Sequence, residues 1–198
     1  MNKRILLILF FAINVTALMA NCCNCMGNVV ATDAQGCPIT MDDIAEMKRL
    51  YVADDPQENK AVKLTKWARL NIDGEGELIW ISDMDEENGA FFCREDGNLR
   101  LITTVWSGLK PAFPDDKDGN HYLMLSGSAG GPTYYTEVFT LRDGKVVETL
   151  TVMEIYGEID QCSLNGNSIG AEQGKAYLEA IPEVKEPDIT WHEIIDNE

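Results

Sequence analysis

Ala68, Leu70 and Ile72 alternate with Trp67, Arg69 and Asn71, the period-two pattern of a strand with one buried face. Leu78 to Ile81 is a short continuous apolar run, which fits a central strand. Phe91 to Cys93, Leu99 to Trp106, His121 to Leu125, Tyr134 to Leu141, Val146 to Tyr156 and Ile159 to Leu164 extend the series to about eight strands. Aromatic and β-branched residues are concentrated in them, as strand packing favours.

The turns between these segments are regular. Asp73-Gly74, Asp96-Gly97, Asp118-Gly119, Asp143-Gly144 and Asn165-Gly166 recur at steps of 22–25 residues. Asp-Gly and Asn-Gly suit hairpins because both residues accept positive φ. Asn88-Gly89, Gly108 to Pro114, Gly130-Gly131 and Gly157 supply further turns between them. The chain thus turns at both ends of each strand pair, as an antiparallel meander does. The intervening side-chain patterns differ from one another, which excludes a stacked repeat.

Two segments carry the helical period instead. Thr40 stands three residues before Asp43, an approximate capping box. Ile44, Met47, Leu50 and Tyr51 follow at helical spacing, predicting a helix over 41–53 that Pro56 prevents from continuing. Gly174, Tyr177, Leu178 and Ile181 predict a second helix over 170–181, stopped by Pro182. Residues 183–198 are acidic and contain Trp191, which suits an edge strand or a tail docked through that ring. The fold class is therefore α+β: mainly an antiparallel β-meander of about eight strands, a twisted sheet or partly closed barrel, with one helix before and one after.

Composition fixes the setting. A chain of 198 residues with 45% hydrophobic content suits one folded domain. A net charge of −17 argues against nucleic acid, whose phosphates need cations. It leaves a basic protein or a cation as partner. Lys3 and Arg4 precede an apolar run from Ile5 to Ile13, and Ala17 and Ala20 suit cleavage, so residues 1–20 read as a signal sequence. Leu18 to Cys22 resembles a bacterial lipoprotein box, which makes Cys22 a candidate lipidation site and a lipid anchor the expected route to a membrane. Residues 21–39 form a Cys-rich linker, and residues 40–198 a single domain. Cys93 and Cys162 fall in strands, as a disulfide pair or as buried thiols. Cys22, Cys23 and Cys25 lack the paired ligand sets of a zinc site. A lipid site or disulfide partners describes them better.

Candidate chemistry is sparse. Asn71-Ile72-Asp73-Gly74-Glu75-Gly76-Glu77 alternates oxygen-bearing residues around glycines, an arrangement that wraps hard cations. The stretch resembles the D-x-D-G-D-G motif of exported bacterial domains of the FG-GAP and VCBS type, with Asn71 and Glu75 in place of aspartates. That resemblance spans roughly residues 65–181 and implies Ca2+ held by Asn71, Asp73 and Glu75. Asp83, Asp85 and Glu87, and likewise Asp115, Asp116 and Asp118, lack EF-hand spacing and read as solvated turns. Gly127 to Pro132 resembles the G-D-S-G-G-P run of chymotrypsin-like proteases, but Ala129 occupies the nucleophile position. It reads as a loop between strands. Neither His121 nor His192 sits in a base motif.

No motif carries a complete set of catalytic partners. The expected function is a non-enzymatic exported binding module of the bacterial envelope, periplasmic, outer-membrane-associated or secreted. A calcium-stabilised domain, an inhibitor of a basic envelope enzyme and, last, a carboxylate-dependent hydrolase are the alternatives.

Overall fold

Thr40 and Asp43 close a reciprocal box at the start of the first helix. The Asp43 N–H donates to Thr40 Oγ1 at 3.1 Å, and the Thr40 N–H donates to Asp43 Oδ2 at 2.8 Å. Two of the four amides that a helix N-terminus leaves unpaired are involved in arrangements of this kind, and the acid also favours the positive end of the helix dipole. This is a computed structural model, and the described residues are 29–31, 39–72, 76–95, 97–114, 120–142, 144–182 and 189–194. The predicted signal sequence and Cys22 lie outside them.

The chain divides into two units after Glu46. In the first, β1 (Val29–Ala31) pairs antiparallel with β2 (Ile39–Thr40). Helix α1 (Met41–Asp54) follows directly from β2.

The second unit holds the meander. A five-stranded sheet has the order β13-β3-β4-β5-β6, with β3 (Lys66–Ile72), β4 (Gly76–Ser82), β5 (Gly89–Glu95), β6 (Asn98–Val105) and β13 (Trp191–Glu193). A six-stranded sheet has the order β12-β11-β10-β9-β8-β7. It contains β7 (Leu109–Ala112), β8 (His121–Gly130), β9 (Thr133–Arg142), β10 (Lys145–Ile155), β11 (Glu158–Leu164) and β12 (Asn167–Ser168). All pairings are antiparallel and sequential except that of β13, which returns to β3. The predicted α+β meander is present, divided into two sheets between β6 and β7.

Alternation assigns each face. Leu70, Leu78, Trp80, Phe91 and Val105 of the five-stranded sheet form one core with Leu109, Leu123, Leu125, Phe139 and Leu141 of the six-stranded sheet. The opposite face of the six-stranded sheet buries Val138, Leu150, Val152 and Cys162, with Tyr177, Leu178 and Ile181 packed against them. Tyr177 and Leu178 belong to α2 (Ala171–Ala180). Gly174 explains how that helix fits: a Cβ there would strike Cys162 Sγ, so only glycine lets the backbone of α2 approach β11.

Two sequence expectations need correction. Gly127 to Pro132 is not simply a loop, because β8 runs through Gly130 and the turn is confined to Gly131-Pro132. A Cβ at Gly127 would collide with the Gly108 carbonyl, so the glycine serves close backbone approach rather than a bend. Gly108 to Pro114, read as a turn, contains β7. Pro111 is tolerated because β7 is the edge of its sheet.

The meander also sorts its turns. Connections after β3, β5, β7, β9 and β11 fall at one rim, which includes the described turn Asn165-Gly166. Connections after β4, β6, β8 and β10 fall at the other. The even spacing in the sequence is thus one down-and-up passage per step. Among the described residues, no helix is long and apolar enough to cross a membrane.

Candidate functional site

The rim formed by the connections after β4, β6, β8 and β10 is physically continuous. Ser107 Oγ donates to Glu87 Oε2 at 3.3 Å, joining the loop after β6 to the loop after β4. Gly108 lies against the Ser128 carbonyl, joining it to the β8–β9 hairpin. The Tyr156 N–H donates to the Pro132 carbonyl at 3.1 Å, joining that hairpin to the β10–β11 turn.

Large apolar side chains stand exposed along this rim: Met84, Trp106, Tyr134 and Tyr156, with Tyr156 at 85%. The one further large exposed apolar residue among those described, Val147, lies near the opposite end of β10. Scattered exposed apolar residues are ordinary; these four are distinguished by all falling in or beside the connections at one rim.

The backbone adds to the contrast. Tyr156 has φ 54° and Gly157 φ 82°, the pattern of a two-residue hairpin turn that Asn-Gly or Asp-Gly makes at lower cost. At the other rim Asn165 (φ 51°) and Gly166 (φ 75°) use that cheaper pair. Tyr156 therefore holds a disfavoured conformation without burying its ring. Glu86, on the same rim, also has positive φ, 64°.

The loop after β4 is held by its own groups. Asp83 Oδ1 accepts the Glu87 N–H at 3.0 Å and Asp83 Oδ2 accepts Asn88 Nδ2 at 2.8 Å. Asp83, predicted as a solvated acid, thus organises the turn. Lys66 Nζ donates to the Met84 carbonyl at 2.8 Å and to Glu86 Oε1 at 2.7 Å, and it sits 4.6 Å from the centre of the Trp191 ring.

Of the predicted cation ligands, only the backbone of Asn71 lies among the described residues. Asn71 lies in β3, opposite Glu77 of β4. Asp73, Glu75 and the run Asp115 to Asp118 lie outside the described residues. No group of three or more metal-ligating side chains occurs among the described residues. Cys93 and Cys162 are buried in different sheets as free thiols, so the disulfide alternative gives way to buried thiols. Burial raises the pKa of both. His121 is buried in β8, whereas His192 of β13 stacks on Trp67 with ring centres 4.5 Å apart. The two histidines are in separate sheets and form no catalytic pair.

Comparison of the chain with protein families, curated proteins and solved structures finds no match to any of the three. Function therefore rests on the geometry of this chain alone.

One internal polar group escaped the sequence analysis. Glu137 of β9 shares its face with Phe139 and Leu141 and receives the Thr103 hydroxyl of β6 at 3.2 Å. Tyr135 also bonds to Glu137, and Thr151 bonds to Tyr135. Burial raises the Glu137 pKa, while the two hydroxyl donors pull it down by less. Burial and then the Glu137 charge raise that of Tyr135. An acid on an alternating apolar face was the signal to look for. The cluster is fully partnered and ties the sheets together, so its chemistry is structural.

A small groove of about 200 Å³, lined by Lys48, Tyr51, Val52, Val62, Lys63 and Leu64, lies beside α1. Typical small-molecule sites run from about 300 to 1,000 Å³. Tyr51 there is buried, its pKa pushed up to about 12 by burial first and then by Asp83 and Asp54. A phenol so hard to ionise is a poor base at neutral pH.

Proposed function

We propose that this chain is a non-enzymatic exported binding module of the bacterial envelope, and that it recognises its partner through the rim of Met84, Trp106, Tyr134 and Tyr156. The observation that carries the reading is Tyr156: a large ring, 85% exposed, on a backbone conformation that tyrosine disfavours. A ring that strains its turn and stays exposed points to a role outside folding. Export is supported by the charged n-region, the apolar run and the small residues before Cys22.

The test places a photo-crosslinking amino acid at position 156 or at position 147 in the producing cell. Both positions are exposed, so simple accessibility does not separate them. Adducts to a defined partner from position 156 and not from 147 are expected. Equal adducts from both, or none from 156, would overturn the assignment of the rim.

A further inference from the structure

Three candidates stand out: the groove beside α1, the Glu137 cluster between the sheets, and the rim. The groove is small, and Glu137 has its partners. The rim carries an inference that rests on the binding reading above and deepens it.

We infer that the partner presents a cationic, arginine-rich protein segment to this rim. Three features converge on that chemistry. The first is charge. Asp83, Asp85, Glu86, Glu87, Glu154 and Glu158 lie in or beside the rim connections, against Lys66 and Lys110. Asp85, Glu87 and Glu158 are exposed, in a chain whose net charge is −17. A basic partner is drawn to such a surface and an acidic one is repelled.

The second is the kind of apolar group. Trp106, Tyr134 and Tyr156 present π-faces rather than aliphatic branches. Guanidinium stacks on such rings while donating to carboxylates in a fixed fork, a combination that ammonium matches less well. Aromatic rings interleaved with carboxylates therefore suit arginine.

The third is an internal precedent. Lys66 already places a cation at this end of the second unit. It does so with one aromatic ring, Trp191, one carboxylate, Glu86, and one carbonyl, that of Met84. The exposed rim offers rings and carboxylates of the same kinds to a cation from outside.

The experiment measures binding of a fluorescent arginine-rich peptide to the exported chain at low and high salt, beside a glutamate-rich peptide of equal length. The variants are Trp106→Ala with Tyr156→Ala, and Val147→Ala as a control, each checked for an unchanged melting temperature. Expected is salt-sensitive binding of the arginine peptide that the rim double variant weakens by about tenfold and Val147→Ala leaves alone. Equal binding to the double variant and the wild type would mean that bulk charge does the work, and would overturn the inference. Absence of arginine-peptide binding would overturn it as well. If crosslinks at position 156 persist in either case, the rim still binds and the partner is not cationic. If those crosslinks are missing too, the binding reading itself has failed.

Discussion

The Thr103 hydroxyl of β6 donates to the Glu137 carboxylate of β9 at 3.2 Å, a polar stitch from one sheet to the other. Glu137 is buried enough that its carboxyl holds its proton above the ordinary 4.5. In the unfolded chain the same group has an ordinary pKa, so the folded state binds the proton more readily. Its contribution to stability is full below the ordinary value and is lost as pH rises through the raised one. Glu137→Gln keeps an acceptor for Thr103 and removes the titration. We expect the variant to be at least as stable as wild type at neutral pH. On mild acidification the wild-type urea midpoint should rise relative to that of the variant, which lacks this Glu137-dependent gain. Parallel pH profiles for the two proteins would contradict this account.

Gly174 and Cys162 form a second coupled pair. Gly174→Ala drives a Cβ into Cys162 Sγ, and overpacking of this kind costs about 1–3 kcal/mol. In a Cys162→Ala background the sulfur is gone, and the same change should be close to neutral, because alanine is the better helix former by about 1 kcal/mol. A double-mutant cycle read from denaturant midpoints gives the coupling. An equal cost in both backgrounds would mean that helix α2 sits farther from β11.

Cys93 and Cys162 are buried, and burial raises the pKa of each thiol. The thiolate is the reactive form. Both should resist iodoacetamide in the native protein at neutral pH and react readily in urea. Peptide mass mapping after timed quenching distinguishes these two from the N-terminal cysteines.

Calcium is tested at the β3–β4 connection by melting the protein in excess calcium and again in EDTA. Coincident curves are expected, as for an acidic hairpin. A rise on the order of 5–10 °C, the effect of a ligand at about 100 times its Kd on a domain of this size, would instead place a cation there if Asp73→Ala abolished it.

The proposed export predicts a mass. Protein recovered from the cells that produce it should lack residues 1–20, and lipidation would leave an acylated Cys22 as the first residue. Intact-mass measurement decides it, and retention of Lys3 and Arg4 would count against export.

The meander was legible because its turns are chemically distinctive. Asn165-Gly166 adopts the paired positive φ that its sequence announces, and Thr40 with Asp43 caps the helix as its spacing suggests. Trp191 does belong to an edge strand. What was missed depends on tertiary context. Pro111 hides β7 because proline weakens a strand signal everywhere except at an edge. Gly127 to Gly130 hides the end of β8 because glycine suits both turns and close backbone approach. The division into two sheets follows from the break between β6 and β7, which no local pattern marks. The rim was invisible for a related reason. Met84, Trp106, Tyr134 and Tyr156 are far apart in sequence, and only the strand order brings their connections to one end.

The six-stranded sheet ends in Pro111 on one side and in a strand of two residues, Asn167–Ser168, on the other. Proline removes a backbone donor, and two residues make a short template, so neither border invites a neighbouring chain to add a strand. The five-stranded sheet is guarded differently: Trp191 to Glu193 lies along β3, opposite Ala68 to Lys66. Clipping the chain before Trp191 would bare the start of β3 and uncover Trp80, whose ring lies 4.7 Å from that of Trp191. Trp191 to Glu193 thus covers one edge of the five-stranded sheet, whose other edge is β6.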